Sequence, residues 1–187
     1  MAFQIAQDPA ADQVLTDSDF ALLAGMALDQ QFPMEHAFRG PAKILERFGS
    51  IDPRDIAAAD PESFAALCAT TPAIHRFPGS MAGKIQALAQ AIVDDYDGET
   101  ARLWNEAKDG KDLLKRMTAL PGFGKQKAQI FVALLAKQVG VRPEGWEAAV
   151  GDYALEGHRS VADVVDGQSL LKVREYKQAK KAAAKKA

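Results

Sequence analysis

Cysteine is nearly absent from this 187-residue chain: Cys68 stands alone. No intramolecular disulfide can form, and no four-thiolate zinc or iron–sulfur centre can be built within one chain. The three histidines, His36, His75 and His158, are too scattered to suggest a metal site, so no metal and no cofactor are implied. Apolar runs are broken by charge well before 18 residues, which excludes a membrane-spanning helix. The N-terminal stretch carries Asp8 but no basic residue, unlike a secretory leader. These absences place the protein in the cytoplasm, at the nucleoid if the source is bacterial. Alternating apolar and polar runs suited to strands are scarce as well.

Hydrophobic residues make up 48% and charged residues 26%, the balance of a soluble globular chain. The net charge of −2 conceals an asymmetry. From Lys172 onward, seven basic residues face one acid, Glu175, which leaves −8 on the rest. A basic tail on an acidic body suits a polyanion such as nucleic acid, and equally a solvated Lys/Ala-rich helix.

Helical spacing recurs throughout. Thr16 to Asp19 offers cap chemistry for an apolar helix from about Phe20 to Gln30. Pro33 sits in the first turn of the next, which ends at Gly49. Asp52-Pro53 and Asp60-Pro61 each open a short helix, a break runs from Pro72 to Gly79, and Met81 to Tyr96 reads as a longer amphipathic helix. Further segments are Leu103-Trp104, Leu113 to Leu120 and Gln126 to Gln138, with a loop at Gly140 to Gly145. The expected fold class is all-α, a two-lobed bundle of about ten helices over residues 1–171, followed by a basic tail over 172–187.

The most informative segment is Leu120-Pro121-Gly122-Phe123-Gly124-Lys125, a hairpin between two helices. Leu113, Leu114, Met117 and Leu120 share one face; Ala128, Phe131, Val132 and Leu135 share the other. Pro121 stops the first helix, and Gly122 permits a positive φ. Gly124 lets a ligand approach the N-terminus of the second helix, where free N–H groups and the helix dipole suit a phosphate oxygen. Lys125 and Lys127 add charge there, and Phe123 is placed to cover the helix junction. Such a device holds a DNA backbone without reading sequence. The alternative is an ordinary αα-hairpin.

A second segment lies some 90 residues upstream: Asp29-Gln30-Gln31-Phe32-Pro33-Met34, at the end of an apolar helix. Together with Lys43 to Gly49, Gly83 to Leu88 and the hairpin, it is similar in order and spacing to the helix-hairpin-helix/glycine-proline-aspartate superfamily of base-excision DNA glycosylases, over about residues 17 to 160. The resemblance implies double-stranded DNA with a damaged base as partner, a base flipped from the duplex, and hydrolysis of its N-glycosidic bond by a monomer. Gln30 and Gln31 would fill the gap or touch the strand of the flipped nucleotide.

Three departures from the family accompany this. The usual Val-Asp-Thr-His after the second hairpin helix is missing; Val150-Gly151-Asp152-Tyr153 is the nearest match, making Asp152 the candidate catalytic carboxylate, with Glu144 and Glu147 as alternatives. A buried Asp152 facing a cleft near the hairpin would favour an enzyme, and an exposed one on the far side an inert DNA-binding or damage-sensing module. Bifunctional relatives carry a lysine two residues after the second hairpin glycine; here it is Gln126, so a monofunctional enzyme is expected. The Cys-rich cluster loop of some relatives is also missing. Trp104 is expected in the core, as is Trp146, which alternatively lines a base pocket.

Overall fold

A computed structural model describes residues 2–187. Among them every regular element is helical, and no helix is long and apolar enough to cross a membrane.

Local chemistry sets most helix starts. Asp8 accepts from the N–H groups of Ala10 and Ala11 and, with Pro9, opens α1 (Pro9–Asp17). Ser18 ends α1 and caps α2 (Asp19–Leu28) by accepting from Ala21 N–H. Asp52 and Asp60, each followed by proline, start α4 (Pro53–Ala58) and α5 (Pro61–Ala69). An acid before a proline combines a side-chain acceptor with a fixed φ at a position that has no donor to satisfy. Between them lies α3 (Met34–Phe48), closed by Gly49 in the left-handed region at φ 86°. The expected break at Pro78-Gly79 is instead the first turn of α6 (Pro78–Tyr96), since proline is well tolerated there.

The second half contains α7 (Arg102–Asn105), α8 (Gly110–Thr118) and α9 (Lys125–Leu134). The last of these continues as one wider π turn to Val139. A loop then leads to α10 (Trp146–Val150), two 3₁₀ turns, and α11 (Gly167–Lys186). The boundary expected at residues 171 and 172 therefore falls inside α11, whose Val173 is fully buried.

Two lobes follow from the packing. Helices α1 to α6 pack on one another, and α7 to α11 with the 3₁₀ turns form the second group. The lobes meet where α2 packs on α9 and α6 on α7. Helix α2 is the hub: nine of its ten residues are buried, Asp19 being the exception. A helix apolar all round belongs in the middle of a core.

Close approach of α2 and α3 depends on Gly25, where an added Cβ would lie 2.5 Å from the Phe38 ring. Phe38 is fully buried and has no free direction to yield. Gly25→Ala is therefore expected to destabilise the fold by about 1–3 kcal/mol, the usual cost of overpacking. Urea denaturation with an unchanged m-value checks this; a midpoint equal to that of the native chain would show that the two helices can separate freely.

Candidate nucleic-acid interface

The hairpin forms as its sequence dictates. Leu113, Met117 and Leu120 on one side meet Ala128, Phe131 and Val132 on the other, all buried. Gly122 holds φ 80°, the left-handed conformation the turn requires. Gly124 does not: its φ is −70°, and a Cβ there would meet nothing within 4 Å. It precedes α9 without supplying a side-chain cap, so the first N–H groups of α9 lack that partner at an exposed tip. Phe123 is turned inward, 3% exposed, with its ring edge-on to Phe131 at 6.2 Å. Its side chain closes the helix junction, and the tip offers only its backbone to a ligand.

The two hairpin lysines diverge. Lys125 is exposed. Lys127, expected to face phosphate, is instead directed between the lobes, where its Nζ donates to the Ala27 carbonyl at 3.1 Å, in the last turn of α2. Burial lowers the Lys127 pKa, with Asp29 opposing that shift and Lys84 adding to it. The residues immediately after Ala27 are the Gln-Gln segment, so this contact brings hairpin and segment to one side of the molecule.

That segment is a built turn. Asp29 terminates α2, Gln30 N–H donates back to the Leu28 carbonyl, and Gln31 adopts φ 54°. His75 fixes it from α6's side: its Nε2–H donates to the Gln30 carbonyl at 2.8 Å, while its Nδ1 accepts from Phe77 N–H at 3.0 Å. Two backbone partners of opposite sense hold the ring as one neutral tautomer, in keeping with a pKa that burial lowers. Gln30 and Gln31 are exposed. Beside them Phe32 packs on His75 at 4.7 Å, and Phe77, 48% exposed, extends the aromatic surface.

On the other flank of α9 a cavity of about 310 Å³ opens. Gln126, Tyr153, Arg159, Tyr176, Lys177 and Lys180 line it. Gln126 Nε2 donates to the Tyr153 hydroxyl at 2.9 Å, Arg159 donates to the Tyr176 hydroxyl at 3.2 Å, and the Lys180 ammonium lies 5.7 Å from the Tyr153 ring centre. Aromatic faces with cations above them suit a planar ring joined to phosphate. The walls come from three separate parts of the chain; Gln126 and the tail lysines were marked in the sequence, whereas Arg159 and Tyr176 were not.

The candidate acids are now placed. Asp152 lies on the 3₁₀ turn beside Tyr153, on the hairpin side of the fold, yet it is exposed. Glu144 sits at the end of α8 remote from the hairpin, where its carbonyl accepts from Gly110 N–H, and its side chain is exposed. The Trp146 backbone lies against that same end, at Gly110, while its side chain is half-buried against the core and does not line the cavity. Glu147 is exposed on α10. Trp104 is in the core against Phe131.

Other charged groups gather at the seam. Arg174 of α11 pairs with Glu35 in the first turn of α3. Asp29 is pushed upward in pKa by burial, against the attraction of Lys177 and Lys127. Among the described residues no group of three or more His, Cys, Asp or Glu side chains is placed to hold a metal.

The model of the HhH-GPD superfamily base excision DNA repair protein family matches residues 24–187. No curated protein and no solved structure matches the chain.

The two hairpin glycines separate folding from docking. Gly124→Ala introduces no strain, so it is expected to leave the thermal midpoint unchanged and to weaken duplex DNA binding through obstruction of the exposed α9 N-terminus. Gly122→Ala should lower both, because a Cβ at φ 80° costs about 1 kcal/mol. Thermal melts beside fluorescence-anisotropy titrations check the pair; normal binding by a folded Gly124→Ala variant would remove the hairpin as the docking element.

Proposed function

We propose that this chain, which belongs to the HhH-GPD superfamily of base excision DNA repair proteins, is a monofunctional DNA glycosylase that flips a damaged or mispaired base and hydrolyses its N-glycosidic bond. The observation that carries the reading is the aromatic, cationic cavity lined by Gln126, Tyr153 and Tyr176, opening on the same helix whose N-terminus is the hairpin tip. The tip amides and Lys125 anchor phosphate, and Lys180, Lys181, Lys185 and Lys186 on the exposed end of α11 extend the positive surface. Gln30, Gln31 and the neighbouring Phe77 face the space that an extruded nucleotide leaves. Extrusion costs a few kcal/mol, less for a poorly paired base, which favours damaged sites. The cavity receives the base between tyrosine rings.

Hydrolysis fits the residues better than elimination does. An imine-forming lysine would stand at position 126, and that residue is a glutamine bonded to Tyr153. A second reading, an inert damage-sensing module of the same fold, is favoured by one observation: Asp152, the sequence candidate for the carboxylate, is exposed.

Incubation with a panel of lesion-containing duplexes should give free base and intact abasic sites, and borohydride should trap no covalent complex. Trapping through Lys125 or Lys127 would overturn the monofunctional assignment; binding without release from every duplex would favour the inert module. Affinity should fall steeply with salt and change little with sequence, by about 0.9 log units per phosphate contact for each tenfold rise in salt. An affinity flat between low and physiological salt would exclude this mode of docking.

A further inference from the structure

The geometry points to Asp29, at the end of α2 between Lys127 and Lys177, as the catalytic carboxylate of this site. The inference rests on the glycosylase reading above and assigns its chemistry to a residue outside the segment that follows the hairpin.

Most acids that meet the protein interior have partners. Asp12 accepts from the N–H of Ala6, Asp163 binds Lys137 and the N–H of Arg159, and Glu35 binds Arg174 through one oxygen while its other is buried without a partner. Asp29 differs. Its N–H closes the last turn of α2 on the Met26 carbonyl, but among the described residues its carboxylate makes no hydrogen bond and no close ion pair. Its oxygens remain free to accept from water or substrate.

Its position is also electrostatically unfavourable for a purely structural acid. A carboxylate at a helix C-terminus meets the negative end of the dipole. Asp29 is half-buried, and desolvation by the surrounding protein outweighs the attraction of the two lysines and raises its pKa. The groups acting on it come from three elements: Lys177 from α11, Lys127 from α9 and, with the opposite sign, Glu35 from α3. Lys84 of α6 approaches Gln30 Oε1 at 3.5 Å and adds positive charge behind Lys127.

Lys177 is also a wall of the cavity, while Lys127 follows Gln126 directly on α9. Asp29 does not itself line the cavity; it lies beside the Gln-Gln turn and shares with the cavity the charge of Lys177. In the step assigned to it, the C1′–N bond of the nucleotide breaks and its electron pair leaves on the base nitrogen. The Asp29 carboxylate stabilises positive charge on the sugar and takes a proton from the attacking water, whose oxygen bonds to C1′. The departing base gains its proton from solvent. A carboxylate raised toward neutrality is a better acceptor in this step than an ordinary exposed one. Lys127 and Lys177 are positioning residues that keep it charged.

The experiment measures base release, DNA affinity and thermal stability for the full chain and three variants. Asp29→Asn should lose base release by on the order of a hundredfold while binding duplex. It should also melt higher than the native chain at neutral pH. A raised carboxyl pKa means that ionisation costs folding stability as pH rises through the window above the ordinary aspartate value, and the amide removes that cost. The acid limb of the pH–rate profile should lie above that value and move further up in Lys177→Met and Lys127→Met. Full activity in Asp29→Asn, or a limb unmoved by both lysine variants, overturns the inference and leaves the glycosylase reading standing. A native chain that releases no base from any duplex overturns both.

Discussion

The seam between α2 and α9 is the constraint on which the rest of the structure depends. Helix α2 ends inside the protein, where its last carbonyls lack the partners that water gives to an exposed helix. The Lys127 ammonium satisfies one of them, at Ala27, from the first turn of α9. Positive charge at a helix C-terminus is favourable for the dipole as well. The bond fixes the start of α9, and with it the hairpin tip, relative to the turn that carries Gln30 and Gln31. His75 completes the clamp by holding that turn to α6 through two backbone contacts.

Charge is divided along the same line. The acidic surplus of the body serves local structure in large part: Asp8, Asp52, Asp60, Asp109 and Asp166 each accept a backbone N–H at a helix start. There an acid complements the dipole. Positive residues without such duties include Lys125 at the tip and the lysines of the exposed end of α11, as well as Lys111 and Lys115 on α8. The net charge of −2 therefore says nothing about the local charge on the face shared by α9 and α11. Helix α11 belongs to it structurally, since Val173 anchors it in the core and Arg174 ties it to α3.

What could be read from the sequence was what local chemistry decides. Caps and prolines located α2 to α5, and α6 once Pro78 is counted in its first turn. The apolar faces and turn residues of α8 and α9 located the hairpin. The directions of individual side chains were not legible, because they depend on neighbours brought from elsewhere. Lys125 and Lys127 look equivalent on paper, yet one faces solvent and the other a carbonyl 100 residues away. Phe123 is buried because Phe131 waits behind it. Asp152 has the proximity expected of it and lacks the enclosure, which only the packing of its 3₁₀ turn could reveal. Asp29 did carry a signal, an acid at the wrong end of an otherwise apolar helix, but its significance needs the two lysines that tertiary structure supplies.

The same distinction between neighbours on one helix bears on the chemistry. Successive residues of α9 are turned by about 100°, so Gln126 and Lys127 belong to different walls. Gln126 faces the cavity and Tyr153; Lys127 faces the end of α2. An amine that attacks a sugar carbon must be unprotonated and free to reach it. Burial works toward the first condition by lowering the Lys127 pKa, but Asp29 works against it and the Ala27 carbonyl holds one of the ammonium protons. Leaving that carbonyl would strand a helix-end acceptor inside the protein, at about 1–3 kcal/mol. The lysine is thus held at the seam beside Asp29, which under the proposed hydrolysis leaves water as the nucleophile.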